Sequence, residues 1–419
     1  MQAASATLWR NTNFITFWAG QTISLFGSHI SYLAIPLAAA TQLQASPTQM
    51  GVTQMAQYLP FLLFGLLAGV LVDRLPRRLV LIVADFGRAL VLLIIPLAAY
   101  GNWLRMEVLY VVVFILGVFN LLFESAYSAF LPKVVLREQL SESNGKLQTS
   151  AAVAEIAGPG LGGWLIQVFT AAFAVIADAV SFLISGVFLM TMQVEEKISA
   201  VEQKQSSILR DLMDGLKAVI HNPYIRPLVF CSATANIFIN MQLAIYVLYL
   251  TRELNFTPAQ IGSMYMIGSI GGLLGALYVV PLTRWMGLGR AIVAECIIVG
   301  IAATGIPLFG LLGAKAFPFL AFMHALWGFG FPLYVVNAAS LRQLTTPEHL
   351  LGRVTASARF ISWGAATIGF LIGGLVAEII GLFPTLVIGG LGLLASSLWV
   401  ILSAVSSLKD MPQAVSEIA

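Results

Sequence analysis

The stretch EIAGPGLGGWLI, residues 155–166, places four glycines and a proline within six residues of a long apolar run. Glycine and proline are the poorest helix formers, although a run of this kind must be helical if it lies in lipid. Gly158 and Gly162 form a small-xxx-small pair, which allows two membrane helices to pack closely. Pro159 removes one backbone hydrogen bond and predicts a bend. The stretch therefore predicts a thin, bent transmembrane helix, shaped either for packing alone or for a moving helix surface.

The composition of the whole chain also indicates lipid as its solvent. Of 419 residues, 59% are hydrophobic and 10% are charged, whereas soluble domains carry about 25% charged residues. The net charge of +3 gives no reason to expect a nucleic-acid partner. The two cysteines have no metal-ligand spacing, and neither a metal nor another cofactor is expected. The sequence contains no nucleotide-binding G-x-x-x-x-G-K-[ST] loop and no catalytic grouping, which argues against an enzyme.

Twelve apolar segments reach the length of about 20 residues that a helix needs to cross a bilayer. They are predicted at residues 13–38, 49–72, 79–100, 107–131, 145–168, 171–193, 226–250, 258–281, 291–312, 316–341, 352–378 and 381–407. Of the 22 Lys and Arg residues, only Arg105, Arg252 and Lys315 fall in the loops on the side opposite the N-terminus. Because basic loops stay in the cytoplasm, we expect both termini to be cytoplasmic.

The chain divides into two halves that resemble each other. Residues 194–221 are rich in charge and predict a cytoplasmic linker with an amphipathic helix, which separates an N-terminal bundle at 1–193 from a C-terminal bundle and short tail at 222–419. A shift of 211 residues places GPGLGG (158–163) on GFLIGG (369–374), and a shift of 210 places Arg74 on Arg284. Such repeats predict a substrate site at the membrane midplane between two homologous six-helix bundles.

The loop GVLVDRLPRR after the second span resembles the signature loop of the major facilitator superfamily. The matching residues of this loop are Gly69, Asp73, Arg74, Arg77 and Arg78. The fifth-span residues that resemble the GPxxGG motif of antiporters and exporters are Gly158, Pro159, Gly162 and Gly163. The segments at 10–30, 129–135 and 339–354 are similar to bacterial macrolide-efflux and siderophore-export proteins. Two departures are Pro76, where glycine is common, and a fourth span without the arginine that many drug–proton antiporters carry.

This resemblance implies an all-α polytopic membrane protein with twelve helices in two pseudo-symmetric bundles. It also implies a monomeric secondary transporter in the bacterial plasma (inner) membrane, in contact with membrane lipid. This transporter would export small drugs or antibiotics by proton antiport and alternating access. The alternatives are a siderophore or metabolite exporter and a non-transporting receptor. By the same resemblance, Asp73 would latch onto the start of the eleventh span near Gly352, while the loop arginines set the topology.

Charged groups inside spans are costly and usually mark function. The candidates for proton coupling or substrate binding are Glu124, Glu155, Asp178 and Arg359. A carboxylate in a low-dielectric site takes up a proton more readily; the structural alternative is a salt bridge from Glu124 or Glu155 to Arg359. Asp85 and Arg88, three residues apart, are expected to pair on one helix face. Glu295 is expected at the membrane interface, because it follows Arg290 closely.

Polar and aromatic residues along the spans predict the lining of a cavity. The candidates are Gln21, His29, Gln54, Gln57, Asn236, Asn240, Trp327, Asn337 and Trp363. With Arg359 as its only cation, such a cavity would favour amphipathic, hydrophobic or cationic molecules. Sugar phosphates and dicarboxylates would require several arginines or lysines.

Overall fold

The structure is a computed structural model that describes residues 8–194, 196 and 208–409, and within them all side chains except those of Leu66, Val70, Asp73, Ala314 and 208–211. The described residues are helical throughout, with no β-strand among them. The helices are α1 (Thr12–Leu37), α2 (Pro47–Asp73), α3 (Arg77–Tyr100), α4 (Met106–Val134), α5 (Leu140–Phe169), α6 (Ala171–Thr191), α7 (Ile208–His221), α8 (Ile225–Leu248), α9 (Pro258–Met286), α10 (Leu288–Gly310), α11 (Phe317–Thr345), α12 (Glu348–Ile380), α13 (Leu382–Ser396) and α14 (Leu398–Ile401).

The long helices coincide with the predicted spans. Within the described residues, eleven helical segments are long and apolar enough to cross a membrane, and α13 with α14 forms one of them. The 27-residue helix α2 lies where the remaining span was predicted, at 49–72. Short π-helical segments at Ala38–Gln42 and Tyr249–Glu253 continue α1 and α8. The prediction of an all-α polytopic fold is confirmed.

The helices form two compact units. Unit 1 comprises Met1–Gln44, Ala56–Gln203 and Thr257–Met266, and unit 2 comprises Ala45–Met55, Lys204–Phe256 and Ile267–Ala419. In unit 1, α1 packs against α5 and α6, and α3 packs against α4 and α6. In unit 2, α8 packs against α12 and α13, and α10 packs against α11 and α13. In each unit, the first predicted span thus packs against the fifth and sixth, and the third packs against the fourth and sixth. This agreement is expected of an internal repeat. The boundaries predicted at 1–193, 194–221 and 222–419 stay predictions.

The glycines of the opening stretch hold α5 against α1. α5 is continuous through Pro159. A Cβ added at Gly158 would lie 2.5 Å from the Cβ of His29, and one added at Gly162 would lie 3.2 Å from the Cα of Ile30. At 2.5 Å a neighbouring atom would have to move, and 3.2 Å is tighter than most real Cβ contacts. The small-xxx-small pair therefore packs two helices within unit 1, as its spacing predicts.

A second glycine contact recurs in both units at the repeat spacing. In unit 1, a Cβ on Gly163 would lie 3.1 Å from the Cα of Gly262 in the first turns of α9. In unit 2, a Cβ on Gly374 would lie 3.1 Å from the Cα of Gly51 in the first turns of α2. Gly163 and Gly374 are related by the 211-residue shift, and so are Gly51 and Gly262. Each pair allows two helix backbones to touch where no side chain fits.

The predicted amphipathic helix is present as α7, which packs against α12. Val219 is buried in a cluster with Val354 and Ala358 of α12. Arg353 lies 3.4 Å from Asp214, and the Ser357 hydroxyl donates to the Leu212 carbonyl oxygen at 3.1 Å. Part of the apolar face of α7 therefore packs against α12 within unit 2. The remaining part, Met213, Leu216 and Ile220, is exposed and is suited to the membrane interface.

We predict that Gly163→Ala lowers the free energy of unfolding by about 1–3 kcal/mol, because the added methyl overpacks the contact with α9. Gly145→Ala, in the same helix, is the matched control: no atom lies within 4 Å of a Cβ at that position. This control is expected to be neutral or to stabilise by up to about 1 kcal/mol. Unfolding of both purified variants in detergent, followed by tryptophan fluorescence, checks the prediction. Equal stability of the two variants would contradict it.

Candidate functional site

A buried acid–arginine cluster lies in unit 1. Arg88 of α3 donates to the carboxylate of Asp85, one turn earlier. The two residues are 5% and 0% exposed. The guanidinium lies between the rings of Phe123 and Phe182, at 4.0 and 4.1 Å from their centroids, and a second nitrogen lies 3.4 Å from Asn120 Oδ1. The predicted pairing of Asp85 with Arg88 is confirmed, and aromatic faces stabilise the cation where water is excluded.

Asp178 adds a second carboxyl group to this cluster. It is 1% exposed in α6, and its charge interacts with that of Arg88. The Ser181 hydroxyl lies 3.2 Å from Asp178 Oδ1. Gly27 of α1 makes room for the pair, since a Cβ there would lie 2.7 Å from the same carboxylate oxygen. Two buried carboxyl groups therefore interact electrostatically with one guanidinium, which forms an ion pair with Asp85.

Glu124 and Glu155 occupy a different environment from Asp178. Both are exposed on the surface of unit 1, on α4 and α5. The charge of Glu124 interacts with Arg88 and with Tyr58, so it lies at the edge of the same electrostatic cluster. Glu155 lies one turn before Gly158 in α5. The structure groups Glu124 with Arg88 and leaves Glu155 apart from them.

Glu295 of α10 is buried in unit 2, with 2% exposure. Its expected depth at the membrane interface stays a prediction, but its side chain is enclosed by the protein. Asn337 Nδ2 of α11 donates to Glu295 Oε1 at 2.8 Å and lies 3.0 Å from Thr283 Oγ1 of α9. Glu295 Oε2 has no hydrogen-bond partner, and no described Lys or Arg forms an ion pair with this carboxyl group. Asn337, predicted to line a cavity, instead holds this network.

The repeat contains the signal that would have found Glu295. The 210-residue shift that relates Arg74 to Arg284 also places Asp85 on Glu295. Three residues later it places Arg88 on Ile298. Both halves thus carry a buried acid at the same position of the third helix, but only the first half carries the arginine that neutralises it.

The signature loop is fixed to the end of α6. The Glu196 carboxylate accepts hydrogen bonds from the backbone N–H groups of Arg77 and Arg78, at 2.6 and 2.8 Å, and so caps the start of α3. The Arg78 side chain donates to the carbonyl oxygens of Leu189 and Met190, at 2.8 and 2.6 Å. Arg74 is exposed, and the surroundings of Gly69 are open. The Asp73 side chain lies outside the described part of the structure, so the latch stays a prediction.

In unit 1, the predicted cavity-lining residues are largely used for packing. Gln21 is buried and donates to the Ser185 hydroxyl at 3.2 Å. His29 packs on Gly158. Gln57 is half-buried in α2. Gln21 and His29 therefore make helix–helix contacts within unit 1, and the lining of a cavity by these residues stays a prediction.

In unit 2, the candidates make contacts within their own unit. Asn236 and Asn240 donate to the carbonyl oxygens of Ser232 and Asn236, one turn earlier in α8, at 2.8 and 2.7 Å. Trp327 packs against a buried apolar cluster, and Gln54 is buried. Of the predicted polar set, Trp363 and Arg359 are the residues that line a described cavity.

This cavity has a volume of about 110 Å³ and lies between α8, α11 and α12. Its apolar lining is Ile225, Leu228, Val229, Ala338 and Ala358. Its polar lining is Ser232, Arg342, Arg359, Ser362 and Trp363. The sequence predicts one cation in the cavity, Arg359, because Arg342 falls beyond the predicted end of the tenth span at residue 341. The structure extends that helix to Thr345, which brings Arg342 into the cavity wall.

Buried charges on helices that can cross a membrane are typical of membrane transporters. Residues 17–369 match the sequence model of the Major Facilitator Superfamily. The chain belongs to this superfamily, and it is therefore an integral membrane transporter rather than an enzyme. The predicted family and fold are confirmed.

Relatives and solved structures agree with this assignment. Macrolide efflux protein A of Streptococcus pyogenes is 26% identical over 370 residues, covering 88% of this chain and 90% of that protein. The multidrug efflux pump Tap of Mycolicibacterium fortuitum is 27% identical over 367 residues, covering 86% and 88%. The structure of a point mutant of the nucleoside transporter NupG superposes with a TM-score of 0.76 at 12% identity and covers 94% and 99% of the two chains. At that identity, this likeness concerns the fold alone.

We predict that Arg88→Gln lowers the free energy of unfolding by about 3–5 kcal/mol, because it leaves buried carboxylates without a cation. Adding Asp85→Asn should recover part of this loss, because it removes one of those carboxylates. Arg353→Gln is the control, since its pair with Asp214 is 40% and 38% exposed and such pairs contribute less than about 1 kcal/mol. Unfolding midpoints in denaturant test the series. The prediction fails if the double variant is no more stable than Arg88→Gln.

Proposed function

We propose that this transporter exports small amphipathic or hydrophobic molecules, drugs and antibiotics among them, in exchange for protons. Its relatives are named for macrolide and multidrug efflux, which supports this substrate class. The buried cluster of Asp85, Arg88 and Asp178 supports the coupling to protons. Substrate would move by alternating access through a monomer in the plasma membrane, with both termini in the cytoplasm.

The charge balance of the cluster is the observation that carries this proposal. Ionising both carboxyl groups leaves one net negative charge buried beside a single guanidinium, which is costly away from water. One bound proton removes that charge. Opening the cluster to water would restore the hydration of the second carboxylate and release the proton. A change of access can therefore drive proton binding and release at Asp178.

Glu295 and Glu124 extend the proposed proton route. Glu295 is a buried acid without a described cation partner, so a proton is the simplest way to neutralise it. Glu124 combines exposure with an electrostatic link to Arg88, which suits a group that passes protons between water and the cluster. Glu155 remains a candidate for coupling through its position next to Gly158 and Pro159.

We predict that Asp178→Asn reduces transport driven by a pH gradient by about tenfold or more, since coupling free energies of about 1–3 kcal/mol correspond to 5- to 150-fold. The measurement is uptake into inside-out vesicles with an imposed pH gradient, over a panel of macrolides, lipophilic cations and siderophores. Substrate exchange without a gradient should survive, because asparagine removes the titratable group and keeps the size of the side chain.

The same assay separates the other candidates. Glu124→Gln and Glu155→Gln are each compared with Glu107→Gln, an exposed acid at the start of α4 that has no proposed role. Proton antiport would be wrong if transport of every substrate were indifferent to collapse of the gradient. If transport by Asp178→Asn depends on the pH gradient as in wild type, Asp178 is not the coupling site.

The proposed orientation predicts which loops face outward. The variant Arg105→Cys should react with a membrane-impermeant maleimide in intact cells, whereas Arg74→Cys should react only after permeabilisation. Arg105 and Arg74 are both exposed, so accessibility within the protein does not separate them. The natural cysteines, Cys231 and Cys296, are buried and should give little background. The reverse labelling pattern would place the termini outside the cell.

A further inference from the structure

The cavity of unit 2 contains two arginines that no described residue neutralises. Arg342 in the last turn of α11 and Arg359 in α12 both line it, and their charges are close enough to interact. Neither forms an ion pair with any described residue. Arg342 Nε is buried without a hydrogen-bond partner among the described residues. Two positive charges therefore line the same cavity, and the N–H group at Arg342 Nε has no acceptor among the described residues.

Two other arginines, by contrast, have an acidic partner within the described residues. Arg88 pairs with Asp85 in the interior of unit 1, and Arg353, in the same helix as Arg359, lies 3.4 Å from Asp214. None of the residues lining the cavity is acidic. Cations on membrane helices normally pair with an acid or line the path of a ligand. Because none of the lining residues is acidic, the cavity carries a net positive charge, as expected of a site that binds an anionic ligand.

The remaining lining indicates what kind of acid fits. Arg359, Ser362 and Trp363 follow the i, i+3, i+4 spacing that places three side chains on one face of α12. They provide a guanidinium fork, a hydroxyl and an indole ring to the same space. The wall from α8 is mainly apolar, with Ile225, Leu228 and Val229 beside the hydroxyl of Ser232. An acidic group attached to an aromatic or aliphatic body would satisfy both sides.

We propose that this cavity binds the carboxylate or phosphate group of an amphipathic anion through Arg342 and Arg359. Guanidinium groups bind these oxyanions with two parallel hydrogen bonds, and two arginines can hold one anion from two directions. Where the anion is an exported substrate, the inference rests on the proposed function. It then directs the substrate class toward acid-bearing amphiphiles, the chemistry of many siderophores, and away from the cationic molecules that a single arginine suggested. A lipid headgroup offers the same phosphate chemistry from a second source.

The test is direct binding to the purified full-length protein in dodecyl maltoside, measured by equilibrium dialysis. The probe is salicylate, an aromatic carboxylate, and its control is salicylamide, which has the same ring and a similar shape without the charge. We expect salicylate to bind at least about tenfold more tightly, a difference of about 1.4 kcal/mol. Equal binding of the two probes by wild-type protein, together with equal binding of the phosphatidic acid and the phosphatidylcholine described below, would overturn the proposal without any variant having to fold.

The variants assign the site. Arg342→Gln and Arg359→Gln should each weaken salicylate binding by about tenfold or more, because each removes a charge-assisted hydrogen bond. Arg353→Gln, which removes a paired cation from the same helix as Arg359, should stay within about twofold of wild type, since its pair is exposed. Unchanged binding by both cavity variants would show that the anion binds elsewhere, and the proposal would be wrong.

A lipid arm distinguishes the two sources of the anion. Dihexanoyl phosphatidic acid and dihexanoyl phosphatidylcholine are compared in the same dialysis. Binding of the phosphatidic acid that depends on both arginines, without competition from salicylate-like carboxylates, would assign the site to a lipid headgroup. Competition by salicylate would assign it to acid-bearing solutes as well. No gradient or transport enters these measurements, so a failure of the proton-antiport proposal would leave their result unchanged.

Discussion

A charge held inside a lipid-embedded helix bundle must be neutralised, because neither the bilayer nor the packed interior can solvate it. Three means of neutralisation are available: an opposite charge of the protein, a proton or a ligand. The Arg88–Asp85 pair uses the first. The surrounding helices of unit 1 are arranged to keep it dry, with Phe123 and Phe182 covering the guanidinium and Gly27 admitting the neighbouring carboxyl group.

The other charged sites differ in which opposite charge is missing. Asp178 interacts with a guanidinium that is already paired with Asp85, and Glu295 accepts from the amide of Asn337, so neither acid has a cation of its own among the described residues. Arg342 and Arg359 present the opposite case, two cations without an acid partner in the part of the chain that the structure describes. In the proposed mechanism, protons complete the first kind of site and an anionic ligand completes the second. Incomplete neutralisation is a cost in stability, and it is also what makes a site responsive to something that binds.

Close backbone contact is the second requirement of the fold. Without a hydrophobic driving force between helices in lipid, small residues are needed so that backbones can approach. The glycines at 158, 162 and 163 serve this purpose in α5, and the contact between Gly163 and Gly262 recurs at Gly374 and Gly51. The stretch at residues 155–166 thus makes close helix contacts on two faces of α5. Gly158 and Gly162 admit α1, whereas Gly163 admits α9.

The sequence by itself determined the helical class, the spans and the family. Hydropathy and helix length are local properties, and they decide whether a segment can cross a bilayer. Local spacing also predicted the Asp85–Arg88 pair, one turn apart in a single helix. Only the tertiary structure decided which distant charges meet. It buried Glu295 against Asn337 and extended α11 far enough to bring Arg342 into the same cavity wall as Arg359. These outcomes depend on how helices rotate and pack, and no single segment of sequence contains that information.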